Sequence, residues 1–184
     1  MLHGNWLSKS RQAGELLSRG QFERSIEIYS EVAKAFPRLP EPHNNLGVAL
    51  RASGEINQAI KSYQKAIKLD PNYMIARKNL ARAFWQTEKI EEALDNYIFL
   101  LKKSDVDSQV VSEAIYSISH IRFTKPSASA RKLLHLLFTF KDVEYQSLAL
   151  PAVNLIEMAG RFERILEFEK KNNPKNTRYI KSIG

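Results

Sequence analysis

Two asparagines, Asn45 and Asn79, lie 34 residues apart and could act together on a bound peptide. A side-chain amide has one acceptor oxygen and two N–H donors, so it can pair with both the N–H and the C=O of an extended backbone. Asparagines repeated once per period would form a ladder that holds main chain without reading its sequence. The alternative is that each amide only bonds a neighbouring helix, and the sequence leaves both interpretations open.

Catalytic and metal-binding chemistry finds little support in the sequence. There is no cysteine, and none of the four histidines lies three or four residues from another; they are His3, His43, His120 and His135. Zinc sites need such spacing, and the glycine-rich phosphate and nucleophile motifs are also missing. Packing is the expected role of the internal histidines, and solvation that of the carboxylates. We therefore expect no catalytic residue, no metal and no cofactor, and a protein that is not an enzyme.

The elements that would position the asparagines repeat with the same 34-residue period. Positions are counted here from Trp6, Pro40 and Met74 as position 1 of three repeats. Positions 8 and 20 are small in every copy, and position 24 is always tyrosine; these residues are Ala13, Gly47, Ala81, Ser25, Ala59, Ala93, Tyr29, Tyr63 and Tyr97. Small residues allow two helix backbones to cross closely. Gly20 and Gly54 at position 15 and Pro37 and Pro71 at position 32 predict the turns.

This pattern resembles the tetratricopeptide repeat (TPR) family, whose repeat has the same period and the same small, aromatic and proline positions. The resemblance covers residues 6–105 and implies an all-α fold, a right-handed α-solenoid of antiparallel helix pairs. Helical spacing predicts helices at 6–19, 22–36, 41–53, 56–69, 74–87 and 90–103. We expect three clear TPRs followed by two degenerate C-terminal helix pairs, all within a single TPR domain, 1–184.

The pattern weakens over 106–184, which we interpret as degenerate repeats and a capping helix. Apolar spacing predicts helices at 107–122 and 127–140, and then at 146–159 and 161–172. Pro151 falls inside the third of these, so that helix starts late or kinks. Gly160 to Arg164 resembles Gly20 to Arg24 in sequence, and the interval implies a small insertion between 106 and 159. The last helix has one apolar side and one charged side, as a solenoid cap requires.

The resemblance also implies a binding groove, because the first helix of each TPR faces the concave side. It places nine candidate peptide-binding residues there: Arg11, Asn44, Asn45, Val48, Arg51, Lys78, Asn79, Arg82 and Trp85. The charges on these positions, with Glu41, predict a groove that is net positive. Trp85 is either an anchor for a partner or a packing residue against the next repeat.

Two modes of peptide capture in this family can be compared with the sequence. The asparagine pair is similar to the asparagine ladder of O-linked N-acetylglucosamine transferases, although Arg11 replaces asparagine in the first repeat. The two-carboxylate clamp for chaperone tails would use the positions of Ser10, Gly14, Asn45, Ile75 and Asn79. Only Asn45 has the required type, so this clamp is disfavoured.

Composition favours a globular chain, with 43% hydrophobic and 26% charged residues and a net charge of +8. No signal peptide or membrane span is evident, and a cytoplasmic protein is expected. We expect a non-enzymatic scaffold or adaptor whose partner is a peptide segment of a protein, with acidic segments favoured by the groove charge. One alternative is a nucleic-acid-associated protein that uses the basic tail, Lys170 to Lys181; a second is a TPR segment of a larger enzyme. Nucleic acid is the less favoured partner because the charge is not clustered. Self-association stays open.

Overall fold

The computed structural model describes residues 3–103, 108–119 and 128–139. These residues form helices throughout, with no strand in the described ranges: α1 His3–Ser18, α2 Phe22–Ala35, α3 Pro40–Ala52, α4 Ile56–Leu69, α5 Met74–Gln86, α6 Ile90–Leu101, α7 Ser108–Ser119 and α8 Ala128–Thr139. The all-α prediction is confirmed, and the predicted bounds of the first eight helices agree within three residues. The expected helices at 146–159 and 161–172 and the basic tail lie outside the described residues.

Each of the first three helix pairs closes through the same turn. In the second pair, the N–H of Glu55 donates to the carbonyl of Leu50 at 2.8 Å, and that of Gly54 donates to Arg51 at 3.2 Å. This is the Schellman arrangement, which needs a left-handed residue after the helix. Gly54 adopts φ +90° and Gly20 adopts φ +74°, as position 15 predicted. The third turn makes the same bonds, although its left-handed residue is Glu88 at φ +58°.

Replacing Glu88 with glycine is expected to raise the free energy of unfolding by about 0.5–1 kcal/mol. The left-handed conformation costs a non-glycine residue roughly 1–2 kcal/mol, while glycine adds roughly 0.5–1 kcal/mol of unfolded-state entropy. Urea titration followed by circular dichroism measures the difference. Glu27→Gly, the same change at an exposed interior position of α2, should lower stability. A Glu88→Gly variant that is less stable than the wild type would contradict the strain argument.

The small residues lie where the two helices of each pair cross. Ala13, Ala59, Ala81 and Ala93 have no exposed surface. In the first repeat, the Ser25 hydroxyl donates to the Ala13 carbonyl at 2.9 Å and so joins position 20 to position 8. These contacts confirm the interpretation of positions 8 and 20 as the crossing point.

Successive pairs are joined by a second repeated device, a side chain at position 4 that bonds the preceding turn. Nε2 of His43 lies 3.1 Å from the Pro37 carbonyl, and Nε of Arg77 donates to the Pro71 carbonyl at 3.1 Å. Because a carbonyl only accepts, Nε2 carries the proton of His43. Burial lowers the pKa of His43, and the bond to Pro37 opposes part of that change. His43 is thus a neutral, buried packing residue, as expected.

The helix pairs stack on one another, and the main core runs from α3 to α8. A smaller cluster, built around Ala13, Tyr29 and Ala49, joins α1, α2 and α3. The fourth pair departs from the first three, because α8 packs mainly against α6 and only weakly against α7. The Ser129 hydroxyl donates to Asp95 Oδ1 at 2.7 Å across that contact.

Candidate functional site

The first helices of the repeats, α1, α3 and α5, form one continuous face of the array. Neighbouring members contact each other directly, α1 with α3 and α3 with α5. Among residues 3–103, the second helices α2, α4 and α6 have no comparable contacts with one another. A stack whose first helices approach more closely than its second helices curves toward the first set. We call the side that α1, α3 and α5 form the concave face.

The three asparagines of this face form a hydrogen-bonded chain. Asn79 Nδ2 donates to Asn44 Oδ1 at 3.0 Å, and Asn44 Nδ2 donates to Asn45 Oδ1 at 3.3 Å. Asn44 and Asn79 are buried, with 4% and 8% exposure, while Asn45 is half-buried. The bond from Asn79 to Asn44 joins α5 to α3. Bonding a neighbouring helix is one of the two roles that the sequence allowed for the asparagines. Asn45 is the member whose N–H donors make no bond to any of the residues that the structure describes.

Two cations of α5, Lys78 and Arg82, face α7. Nε and Nη2 of Arg82 donate to the two carboxylate oxygens of Glu113, with the first bond at 2.9 Å. One helical turn earlier, Lys78 Nζ lies 3.5 Å from Gln109 Oε1. The predicted positive charge of the face is therefore partly neutralised, because Glu113 stands beside Arg82. A carboxylate that takes both donors of a guanidinium fixes the register of the two helices.

A double-mutant cycle on Arg82→Gln and Glu113→Gln should give a coupling free energy of roughly 1–2 kcal/mol. The side chains are only 27% and 23% exposed, so the pair should exceed the 0.2–1 kcal/mol of a fully solvated ion pair. The four proteins would be compared by chemical denaturation at low and at physiological salt. Lys9 with Glu31, at 45% and 64% exposure, provides the matched exposed pair. Equal coupling energies for both pairs would contradict this assignment.

The position-24 tyrosines extend from the second helices through the core toward the concave face. Tyr29 donates to the Ser10 carbonyl at 3.2 Å. The Tyr97 hydroxyl donates to Glu113 Oε2 at 3.4 Å, and burial followed by the charge of Glu113 raises the pKa of Tyr97 to about 12. Burial also raises the pKa of Tyr63, which the charges of Arg51 and Arg82 oppose. Each tyrosine hydroxyl thus lies at the floor of the face.

The other predicted site residues divide between packing and exposure. Val48 and Trp85 are half-buried and pack against the main core, which favours the packing role for Trp85. Arg11 is exposed on α1. Arg51 is half-buried beside Tyr63. Leu7 and Ile75, both at position 2, are 56% and 54% exposed.

A protein-family model for the TPR repeat matches residues 49–88. The match begins near the end of α3 and ends in the left-handed turn after α5, so it covers α4, α5 and the turns that flank them. The repeated turns and crossings place the same unit on both sides of this match. Residues 49–88 belong to the tetratricopeptide repeat family. A search of curated protein sequences finds no match.

Solved TPR domains share this fold. The first TPR of Spaghetti (RPAP3), bound to the HSP90 peptide SRMEEVD, aligns with a TM-score of 0.58 at 20% identity, over 61% of this chain and 89% of that one. The second TPR domain of human RPAP3, in complex with the HSP70 peptide SGPTIEEVD, aligns with a TM-score of 0.58 at 23% identity, over 62% of this chain and 96% of that one. The Sgt2 TPR domain from Aspergillus fumigatus aligns with a TM-score of 0.51 at 16% identity, over 85% of this chain and 82% of that one.

Two residue classes of this TPR face were missed by the sequence reasoning. Glu113 and Gln109 were not placed there, although Glu113 follows Asn79 by one further 34-residue period. Extending the position count past 105 would have found it. The tyrosine hydroxyls were missed because position 24 was interpreted as packing alone, while only the crossing geometry shows where each ring ends.

Neither metal ligation nor membrane insertion has a structural basis in the ranges described. No group of three or more His, Asp and Glu side chains there could hold a metal ion. No helix in the same ranges has the length and apolarity needed to cross a bilayer.

Proposed function

We propose that this TPR protein is a non-enzymatic interaction module that holds a peptide segment of a protein partner on its concave face. One observation carries the proposal. Three large apolar side chains are strongly exposed in the described chain, and two of them, Leu7 and Ile75, occupy position 2 of the concave helices. Two helix spacings of roughly 8–10 Å separate these positions, so they suit apolar side chains about five or six residues apart in an extended ligand, which rises roughly 3.3 Å per residue.

The polar groups between them suit the ligand backbone. Asn45 is half-buried and retains two N–H donors, since its bond to Asn44 uses only its oxygen. In an extended segment those donors would meet main-chain carbonyls. Solved TPR domains of the same fold hold peptides, which supports a peptide as the ligand class here. Capture of a chain terminus by two lysines is not proposed, because Ser10 and Ile75 stand at two of the basic positions of that clamp.

A phage-displayed library of random dodecapeptides, selected on the immobilised protein, tests this function directly. Enriched peptides would be synthesised and titrated by calorimetry against wild type and a Leu7→Ser/Asn45→Ala/Ile75→Ser variant. We expect a loss of affinity of at least tenfold, since removing contacts near the centre of an interface costs more than about 1 kcal/mol each.

The control variant is Leu69→Ser, which removes the third exposed apolar side chain, at the end of α4 and away from the concave face. It should bind as the wild type does. Failure to enrich any peptide, or equal binding by the concave-face variant, would overturn the proposal. All four substituted side chains are exposed or half-buried, so the variants should retain the wild-type helicity.

A further inference from the structure

Arg51 and Tyr63 form a polar pair below the concave face that the chain itself does not satisfy. Arg51 Nε and Tyr63 Oη are both buried, and neither atom has a hydrogen-bond partner of acceptable geometry. The Arg51 guanidinium lies close enough to the Tyr63 hydroxyl to oppose the rise of the tyrosine pKa, but the two groups do not complete a well-formed bond. The Tyr63 side chain has no exposed surface, while Arg51 is half-buried and so reaches the solvent of the face. Buried polar atoms without partners are rare in native proteins, and each needs an explanation.

The next repeat shows which chemistry satisfies the equivalent tyrosine, although its arginine stands at position 9 and Arg51 stands at position 12. There, Tyr97 and Arg82 both donate to one carboxylate, that of Glu113, which enters from α7. Tyr97 is 2% exposed with Glu113 in place, so a tyrosine at this position can donate to a carboxylate that arrives from a neighbouring element on the concave side. One repeat earlier, the residue equivalent to Glu113 is Asn79, whose amide is engaged with Asn44. Tyr63 therefore lacks the acid that the equivalent Tyr97 has, and Arg51 is the cation that stands beside it.

Charge points the same way. Arg51 has no ion pair within the described residues, whereas Arg82, which also faces Tyr63, is neutralised by Glu113. A carboxylate placed at Arg51 would restore neutrality and take two donors of the guanidinium side by side. Hydrogen bonds between charged partners in a half-buried setting are the strong ones in recognition.

We infer that an aspartate or glutamate side chain of the bound peptide enters the concave face at Arg51, where the Arg51 guanidinium and the Tyr63 hydroxyl donate to its carboxylate. This rests on the proposed function, because it assigns one side chain of the same peptide. Arg51 would select acidic segments, Leu7 and Ile75 would hold apolar neighbours, and Asn45 would hold the backbone between them.

The peptides selected from the dodecapeptide library supply the test. Selection on wild-type protein should enrich Asp or Glu at one fixed position, and selection on Arg51→Gln should lose that enrichment. Calorimetry should show a ten- to hundredfold weaker affinity when the acidic residue is changed to its amide. Changing the acidic peptide residue to its amide should have little effect on binding to Arg51→Gln, because the carboxylate then has no guanidinium to bind.

Two further variants separate this site from folding and from general charge. Tyr63→Phe removes only the hydroxyl, so it should keep the wild-type melting temperature and weaken acidic peptides several-fold. Arg38→Gln makes the same charge change at an exposed turn away from the concave face and should leave affinity unchanged. Enriched peptides without an acidic position, or equal losses for Arg38→Gln and Arg51→Gln, would overturn the inference while the peptide-binding function stands. Failure to enrich any peptide would overturn both.

Discussion

Replacing Gly47 with alanine is expected to lower the free energy of unfolding by roughly 1–2 kcal/mol, although alanine is the better helix former. A Cβ at this position would lie 2.5 Å and 2.7 Å from two ring carbons of Tyr63. The ring has no exposed surface and cannot move into solvent. Overpacking of this kind costs roughly 1–3 kcal/mol or more, and the gain in helix propensity returns only about 1 kcal/mol.

Gly14→Ala is the matched control, since Gly14 also lies within a concave-face helix. Its added Cβ would lie 3.4 Å from the Tyr29 hydroxyl, a contact that a small adjustment relieves. That variant should gain up to about 1 kcal/mol from helix propensity. Denaturant titration of both variants gives the comparison. If both substitutions change the free energy of unfolding in the same direction, then Gly47 is not required for the close approach of α3 and α4 at Tyr63.

Raising the pH from 10 to 12 should remove roughly 1–3 kcal/mol of stability through Tyr97 alone. Its folded pKa is about 12 against an ordinary value near 10. A raised folded pKa means that the native state holds the proton more tightly than the unfolded state does. The contribution is complete below pH 10 and is lost as the pH rises through 12, because the buried tyrosinate would face Glu113.

Urea unfolding of wild type and Tyr97→Phe at pH 9 and at pH 11.5 measures this contribution. The wild type should lose more stability across that interval than the variant does. Tyr73→Phe is the comparison. Tyr73 is only half-buried, and its pKa is raised by burial and then by the charges of Glu41 and Asp70. Identical pH dependence for wild type and Tyr97→Phe would show that the Tyr97 hydroxyl is not held as described.

The helices and their crossings follow from the sequence because their causes are local or periodic. Glycine at position 15 ends a helix wherever it occurs, and small residues at positions 8 and 20 allow close approach in every copy. Glu88 shows how strongly the repeat imposes its turn. It takes the left-handed conformation of Gly20 and Gly54 because the bonds to Phe84 and Trp85 require it, although the residue itself disfavours it.

The candidate site was predicted only in outline. Position in the repeat predicted that Arg51, Asn45 and Arg82 line a binding groove. They lie on α3 and α5, and their contact with a ligand stays a prediction. Their partners depend on register between helices that are more than thirty residues apart in sequence, as the Asn79 to Asn44 and Arg82 to Glu113 bonds show. No local propensity encodes such a register, so the hydrogen-bond or ion-pair partner of each polar group could not be inferred from its position in the repeat.

The sequence by itself therefore determined the repeat, the bounds of the described helices and which helix carries each candidate residue, since helical periodicity and turn chemistry act over a few residues. Only the tertiary structure decided which concave cations are already neutralised, where α8 packs, and that the Arg51 and Tyr63 pair lacks an acid. These features arise where side chains from separate helices meet at distances near 3 Å. Such meetings depend on the stacking of whole repeats, in which the burial of Tyr63, Tyr97 and their neighbours outweighs the preference of any single residue.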